Sequence, residues 1–371
     1  MKILILPNSL KGCLSARQTA RVLSRTLGKK HRIKSFPLSD GGDGFVDFFE
    51  ALFPTSKRVK LYAQNAFGKR SRTSYLWLPS QKTAILETAR ICGLGSAKKS
   101  ELDPLGASSF GVGEVILHAI KKGAQKIYVG LGGVACNDGG AGVAQALGAQ
   151  FLSVRGKQIN CGAKPLLKLD SINISILKKQ LKGVKIYAVA DVKNPLLGVC
   201  GSAQVYGPQK GATSTQVRIL ESALTVYARV VKKTTGKNIS TTSGTAAAGG
   251  ICAGLFGLCS AKIIFGADFL SKHLPLEKWA RWADLIITSE GKLDTQTLQG
   301  KAPLAAMKVA AKAHKPILFI CGHYDGHILR KVPQGLNLQI ACLADFAKDI
   351  QDSMKHASKY IAAISSCVGC I

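Results

Sequence analysis

Polar, glycine-rich segments follow short apolar runs at several places along this 371-residue chain, and their residue types suit the handling of phosphate. They are Pro7 to Gly12, Ser39 to Gly44, Leu131 to Gly142, Asp191 to Pro195, Gly207 to Thr213 and Ser289 to Asp294. Glycine lets backbone amides approach an oxyanion, and a helix start aims free N–H groups and a positive dipole end at the same place. Lys11, Lys193, Lys210 and Lys292 beside these segments can neutralise phosphate or carboxylate oxygens, while Asp and Asn side chains can hold Mg2+. Together these are the parts of a phosphoryl-transfer site. Each segment alone also reads as ordinary turn chemistry.

Familiar nucleotide signatures do not account for them. No Gly-Lys pair is followed by Ser or Thr, so the chain has no Walker A loop. Gly130-x-Gly132-x-x-Ala135 approximates a dinucleotide fingerprint but lacks an acidic residue at the end of the next strand, which leaves an NAD-dependent oxidoreductase as a minor alternative. Of the histidines only His323, just after Ile317-Cys321, stands at a site edge, so a histidine relay is not indicated.

The elements that must position these segments alternate. Apolar runs at Ile3-Leu6, Ile33-Leu38, Ile127-Gly130, Ile186-Ala190, Leu285-Thr288 and Ile317-Cys321 read as strands of a mostly parallel sheet. Helices are expected over Ala16 to Leu27, Ser108 to Lys122, Gln216 to Lys233 and Leu298 to Ala313. Val59-Gln64, Thr73-Leu78 and Thr83-Thr88 follow one another with short gaps, which predicts antiparallel pairing and entry into a second domain. The expected fold class is therefore α/β: a discontinuous Rossmann-like parallel-sheet domain at 1–61 and 281–371, with a mixed α/β domain inserted at 62–280.

Lys and Arg outnumber Asp and Glu by 51 to 21, a formal net charge of +30. The basic residues are spread over helix ends and polar faces with little aromatic interleaving, so no specific nucleic-acid partner is expected. A field of this sign also attracts small anionic substrates. The 11 cysteines are scattered, the usage of a reducing, cytoplasmic compartment. Cys367 and Cys370 form a Cys-x-x-Cys without a second ligand pair, which reads as a tail rather than a zinc site. Gly244 to Ala261 carries no charged residue, yet Gly and Ala dominate it, so a buried, closely packed helix is expected instead of a membrane span.

These segments resemble those of the bacterial glycerate kinases, a likeness running from Met1 to about Gly322. Pro7 to Gly12 is similar to that family's P-D-S-F-K-G, Asp40 to Gly44 to its D-G-G-E-G, and Gly130 to Gly142 to its G-L-G-G-S-A-T-N-D-G-G-A-G. Asp191 to Leu197 with Gly207 to Thr213 resembles D-V-x-N-P-L with F-G-P-Q-K-G-A-T, and Thr288 to Pro303 resembles T-G-E-G-x-L-D-x-Q-T-x-x-G-K-x-P. The resemblance implies two α/β domains with a cleft between them, ATP and Mg2+ as cofactors, glycerate as the small-molecule partner, and a phosphoglycerate product, usually the 2-phosphate.

On that resemblance the expected catalytic residues are Lys11, Asn8 and Asp191, with Lys11 gripping the glycerate carboxylate or the transferring phosphate. Ser9, Asp40, Lys210 and Asp294 are expected at the substrate, and Gly132, Gly133, Asn137, Asp138 and Glu290 at the nucleotide. Asp138 or Asp191 would hold the metal, with helix capping as the alternative for Asp138. The chain departs from the pattern at Asn8 for Asp, Arg90 for Ala, Val112 for Thr, Val134 for Ser, Cys136 for Thr and Ser289 for Gly. Asn8 keeps the size of the family's carboxylate but not its charge, so a catalytically impaired, ligand-binding relative is the second reading.

Overall fold

A computed structural model of the chain describes residues 1–95, 97–294, 297–299 and 301–368. Cys370 of the Cys-x-x-Cys, and Thr295, Gln296 and Gly300 of the Thr288 to Pro303 motif, lie outside them. The strands are β1 Lys2–Pro7, β2 Arg32–Ser35, β3 Lys57–Gln64, β4 Arg70–Leu78, β5 Thr83–Glu87, β6 Lys126–Leu131, β7 Gln150–Ser153, β8 Leu169–Asn173, β9 Lys185–Ala190, β10 Lys262–Phe265, β11 Leu285–Leu293, β12 Ile317–Tyr324 and β13 Leu338–Cys342. The chain divides into two compact units, one of Met1–Leu52 with Gly266–Ile371 and one of Phe53–Phe265.

In the first unit a five-stranded sheet runs β13-β12-β11-β1-β2, parallel throughout. Ile3, Leu4, Ile5 and Leu6 are all fully buried, as a strand covered on both faces requires. Ile3 and Ile5 pack with Leu23 and Leu27 of the helix Ala16–Leu27 and with Ile361 and Ile364 of the helix Ala357–Ser366. The former helix starts at Ser15, whose hydroxyl accepts the Gln18 N–H while the Gln18 side chain accepts the Ser15 N–H. A second apolar cluster joins Phe45, Phe48 and Phe49 to Phe269, with ring centroids 5.1 to 5.7 Å apart. The chain leaves β1 for β2 on one side and returns through β11 on the other, so β1 and β11 flank the point where ligands of open α/β sheets collect.

The second unit holds a six-stranded mixed sheet, β10-β9-β6-β5-β4-β3, in which β5, β6, β9 and β10 are parallel. β3, β4 and β5 pair antiparallel as expected, and β3 is a basic edge carrying Lys57, Arg58 and Lys60. The helices Phe110–Lys121 and Ser214–Thr235 supply Val115, Ile116, Leu220 and Leu224 to its core.

Two segments differ from expectation. Gly244 to Ala261 is buried but helical only over Ile251–Gly257. Gly244, Gly249 and Gly250 take positive φ, and a Cβ on Gly249 would sit 2.0 Å from the Cys136 carbonyl oxygen. The small residues there serve close backbone approach rather than helix continuity. β11 extends five residues beyond Thr288, because Lys292 and Leu293 remain registered with His323 and Tyr324 of β12. No helix among the described residues is long and apolar enough to cross a membrane.

Candidate active site

At the carboxyl end of β1 the chain is pinned to β11. The Asn8 N–H donates to the Ser289 carbonyl oxygen at 3.0 Å, and the Ser289 hydroxyl donates to the Asn8 carbonyl oxygen at 3.0 Å. Both residues are buried, while the Asn8 side-chain amide has no hydrogen bond among the described residues.

Beyond Asn8 the half-buried Ser9 leads into a closed turn, in which Leu10 N–H donates to Leu14 O at 2.9 Å and Gly12 takes φ +78°. Lys11 stands exposed on this turn with an unpartnered ammonium among the described residues. The turn is closely approached at two of its glycine neighbours. A Cβ on Gly291 would come within 3.1 Å of the Lys11 backbone nitrogen, and one on Gly12 within 2.8 Å of the Met354 methyl.

The same sheet edge collects the acidic candidates. Glu290 is buried and accepts from Lys301 Nζ at 2.7 Å and from the Thr297 hydroxyl at 2.8 Å. Asp40, also buried, accepts the Gly42 N–H at 3.4 Å and the Ala302 N–H at 3.3 Å, at the start of the helix Ala302–Lys312. Asp294 is half-buried, 3.8 Å from Lys292 Nζ. Burial raises the Glu290 carboxyl above its ordinary range against the pull of Lys301. Burial lowers the Lys301 ammonium, but Glu290, Asp40 and Asp294 outweigh it and the net displacement is upward. A charge-assisted pair held by a third, uncharged partner therefore sits under the site.

In the second unit the segment after β6 is clamped to the turn after β5. The buried Thr88 hydroxyl accepts the Gly132 N–H at 3.2 Å, Leu94 N–H donates to Gly133 O at 2.7 Å, and Ala135 N–H donates to Cys92 O at 2.9 Å. Gly133 is exposed at φ +63°. Asp138 is fully buried: its Oδ2 accepts the Ser109 N–H (2.8 Å), Ser109 Oγ (2.9 Å), Ser108 Oγ (3.2 Å) and Gly142 N–H (3.2 Å), and its Oδ1 the Gly140 N–H (3.2 Å). This carboxylate holds the start of the helix Ala141–Ala146 against residues 108 and 109.

Lys210, also buried, donates to the Cys136 carbonyl oxygen at 2.6 Å and to Asn137 Oδ1 at 2.9 Å. Burial lowers this ammonium, opposed chiefly by Cys136, Cys92 and Asp138. Hydrogen bonding to the Cys92 thiol, with burial, pushes the Cys136 thiol well up. Asn137 Nδ2 donates to Pro104 O at 3.3 Å. Asp191 is half-buried beyond β9, and its charge, after burial, raises the Tyr206 phenol. The structure thus gathers Gly132, Gly133, Asn137, Asp138 and Lys210 in one unit and Asn8, Ser9, Lys11, Asp40, Glu290 and Asp294 in the other.

Among the described residues no group of three or more His, Cys, Asp or Glu side chains could cage a metal. This donor chemistry fits a hard cation that arrives with phosphates and takes one or two carboxylates. Local spacing assigns Lys301 no role beyond its place in the Thr288 to Pro303 motif, and it does not single out Ser108 and Ser109, which reach Asp138 from 30 and 29 residues away.

The description "Glycerate kinase family" matches residues 3–371. The chain is 35% identical over 372 residues to the glycerate 2-kinase of Escherichia coli K12, covering 98% of this chain and 97% of that one. It is 33% identical over 374 residues to a glycerate kinase of Halalkalibacterium halodurans, covering 98% of each. The crystal structure of a proposed glycerate kinase 2 from Salmonella typhimurium LT2 superposes with a TM-score of 0.78 at 32% identity, covering 100% of this chain and 98% of that one.

Proposed function

The chain belongs to the glycerate kinase family, and from that premise we propose that it transfers the γ-phosphoryl group of ATP to the 2-hydroxyl of D-glycerate. It is a kinase whose acceptor is an alcohol. In the step proposed, the bond between the γ-phosphorus and its bridging oxygen breaks as the glycerate oxygen bonds to phosphorus, giving ADP, 2-phosphoglycerate and the hydroxyl proton. Such transfer needs positioning and charge stabilisation rather than a covalent enzyme intermediate.

The observation that carries this reading is the unpartnered polar pair at the end of β1, the Asn8 amide and the Lys11 ammonium, on a backbone fixed by Ser289. Lys11 supplies the positive charge that grips the glycerate carboxylate or the transferring phosphate, and Asn8 orients the substrate by hydrogen bonding. Ser9, Asp40 and Asp294 border that position. Gly132 and Gly133 meet nucleotide phosphate through backbone, with Asn137 on the same segment. Lys210 and Asp138 act by fixing the Cys136 to Gly142 backbone. Mg2+ accompanying the nucleotide would be held by Asp191 and would neutralise developing phosphate charge.

Asn8 also motivates a second reading, a relative that binds glycerate without phosphorylating it. An ADP-release assay over a panel of small hydroxy acids, run beside calorimetric binding of the same acids, separates the two. Release stimulated by D-glycerate above all others supports the kinase; binding without release supports the alternative.

A further inference from the structure

The second unit contains a concave region that neither the glycine-rich segments nor the proposed reaction uses. It is a cavity of about 700 Å3, with Lys157, Lys164 and Lys168 at its walls and Leu105, Ile159 and Pro165 as its apolar surface. That volume lies within the range of small-molecule sites.

We propose that this cavity binds a small organic phosphate. The three lysines are exposed, and among the described residues none has an ion pair or a side-chain hydrogen bond. Asp103, the acidic residue of the wall, is exposed, and its Oδ1 accepts the Leu105 N–H at 3.2 Å and the Gly106 N–H at 2.8 Å. The lining therefore carries three positive groups against one carboxylate, a balance that favours an anion, while its apolar wall suits an attached carbon skeleton.

The walls are already built. Ala163 and Lys164 both donate their N–H groups to Leu105 O at 3.0 Å. Gly162, at φ +103°, lies so close to Gly106 that a Cβ there would be 2.7 Å from the Gly106 carbonyl oxygen. Binding would thus cost little ordering of the backbone. The stretch from Asp103 also continues into Ser108 and Ser109, which hold Asp138, so an occupant of the cavity braces the segment that secures the Cys136 to Gly142 backbone. This inference does not depend on the kinase reading.

Calorimetry with phenyl phosphate as the probe, on the full chain in saturating ADP and glycerate, tests it. Wild type should bind phenyl phosphate more tightly than inorganic phosphate, and Lys157→Glu with Lys164→Glu should weaken binding about tenfold or more. Phenyl phosphate should also slow N-ethylmaleimide labelling of Cys161, a half-buried residue of the wall, and leave the exposed Cys200 unaffected. No binding at millimolar probe, equal affinity in the double variant, displacement by ADP and glycerate, or unprotected Cys161 would each overturn the proposal.

Discussion

Asn8 and Ser289, two of the positions at which this chain departs from the glycerate kinase pattern, are hydrogen-bonded to each other in both directions across β1 and β11. The Ser289 hydroxyl ties down the backbone of Asn8 from the neighbouring strand. Ser289→Ala should cost about 1 kcal/mol of stability by removing one buried hydrogen bond, and should lower turnover through Asn8. Asn8→Asp should raise turnover, or widen its pH range, more than it changes ATP affinity. Steady-state kinetics over pH check both; unchanged or lower turnover in Asn8→Asp would make Asn8 a residue tuned to this chain.

Lys11 and Asp138 should separate stability from chemistry. Lys11 is exposed and unpartnered among the described residues, so Lys11→Ala should change stability by less than about 0.5 kcal/mol while lowering kcat/KM about a hundredfold or more. Asp138→Asn puts an amide donor where donors already converge, and should destabilise by about 3 kcal/mol. Melting curves and turnover of the two variants together check the assignment.

The Glu290–Lys301 pair predicts asymmetric behaviour. Glu290→Gln leaves Lys301 buried without its counter-charge and should cost about 3–5 kcal/mol, whereas adding Lys301→Met should recover much of that loss. With its folded pKa raised, Lys301 contributes stability that is present below its ordinary 10.5 and lost as pH rises through the higher folded value. Glu290, also raised, contributes most below its ordinary 4.5 and loses that contribution as pH rises through its folded value. Denaturation of the single and double variants across pH measures the coupling.

Much of this arrangement was legible in the residues, and the rest was not for physical reasons. Short gaps between β-rich runs announced the antiparallel β3, β4 and β5, and the continuous apolar run of β1 announced a doubly covered strand. Composition misled at Gly244 to Ala261, where alanines and glycines suit a packed helix and a close-packed loop equally. The joining of Glu290 to Lys301, of Ser289 to Asn8, and of Asp138 to Ser109 depends on chain folding between distant positions, which no local spacing encodes.

Acid should loosen the C-terminal helices through Asp352. Hydrogen bonds from the Tyr360 hydroxyl, the Lys348 N–H and His356 hold its carboxyl down at about 2. Its contribution is present above the ordinary 3.8 and is lost as pH falls through about 2. Because Met354, which shares the helix Ile350–Lys355 with Asp352, lies against the Gly12 turn, protection of that turn in hydrogen exchange should fall with it. Asp352→Asn should flatten the acid limb of the stability curve.

Phosphoryl transfer from ATP to D-glycerate is tested most directly by phosphorus NMR of the purified protein incubated with Mg-ATP and D-glycerate. The expected result is loss of the γ-phosphate resonance matched by equal growth of ADP and 2-phosphoglycerate signals, dependent on glycerate and slowed about a hundredfold or more in Lys11→Ala. ADP formation that ignores glycerate, or no new phosphomonoester signal, would contradict it.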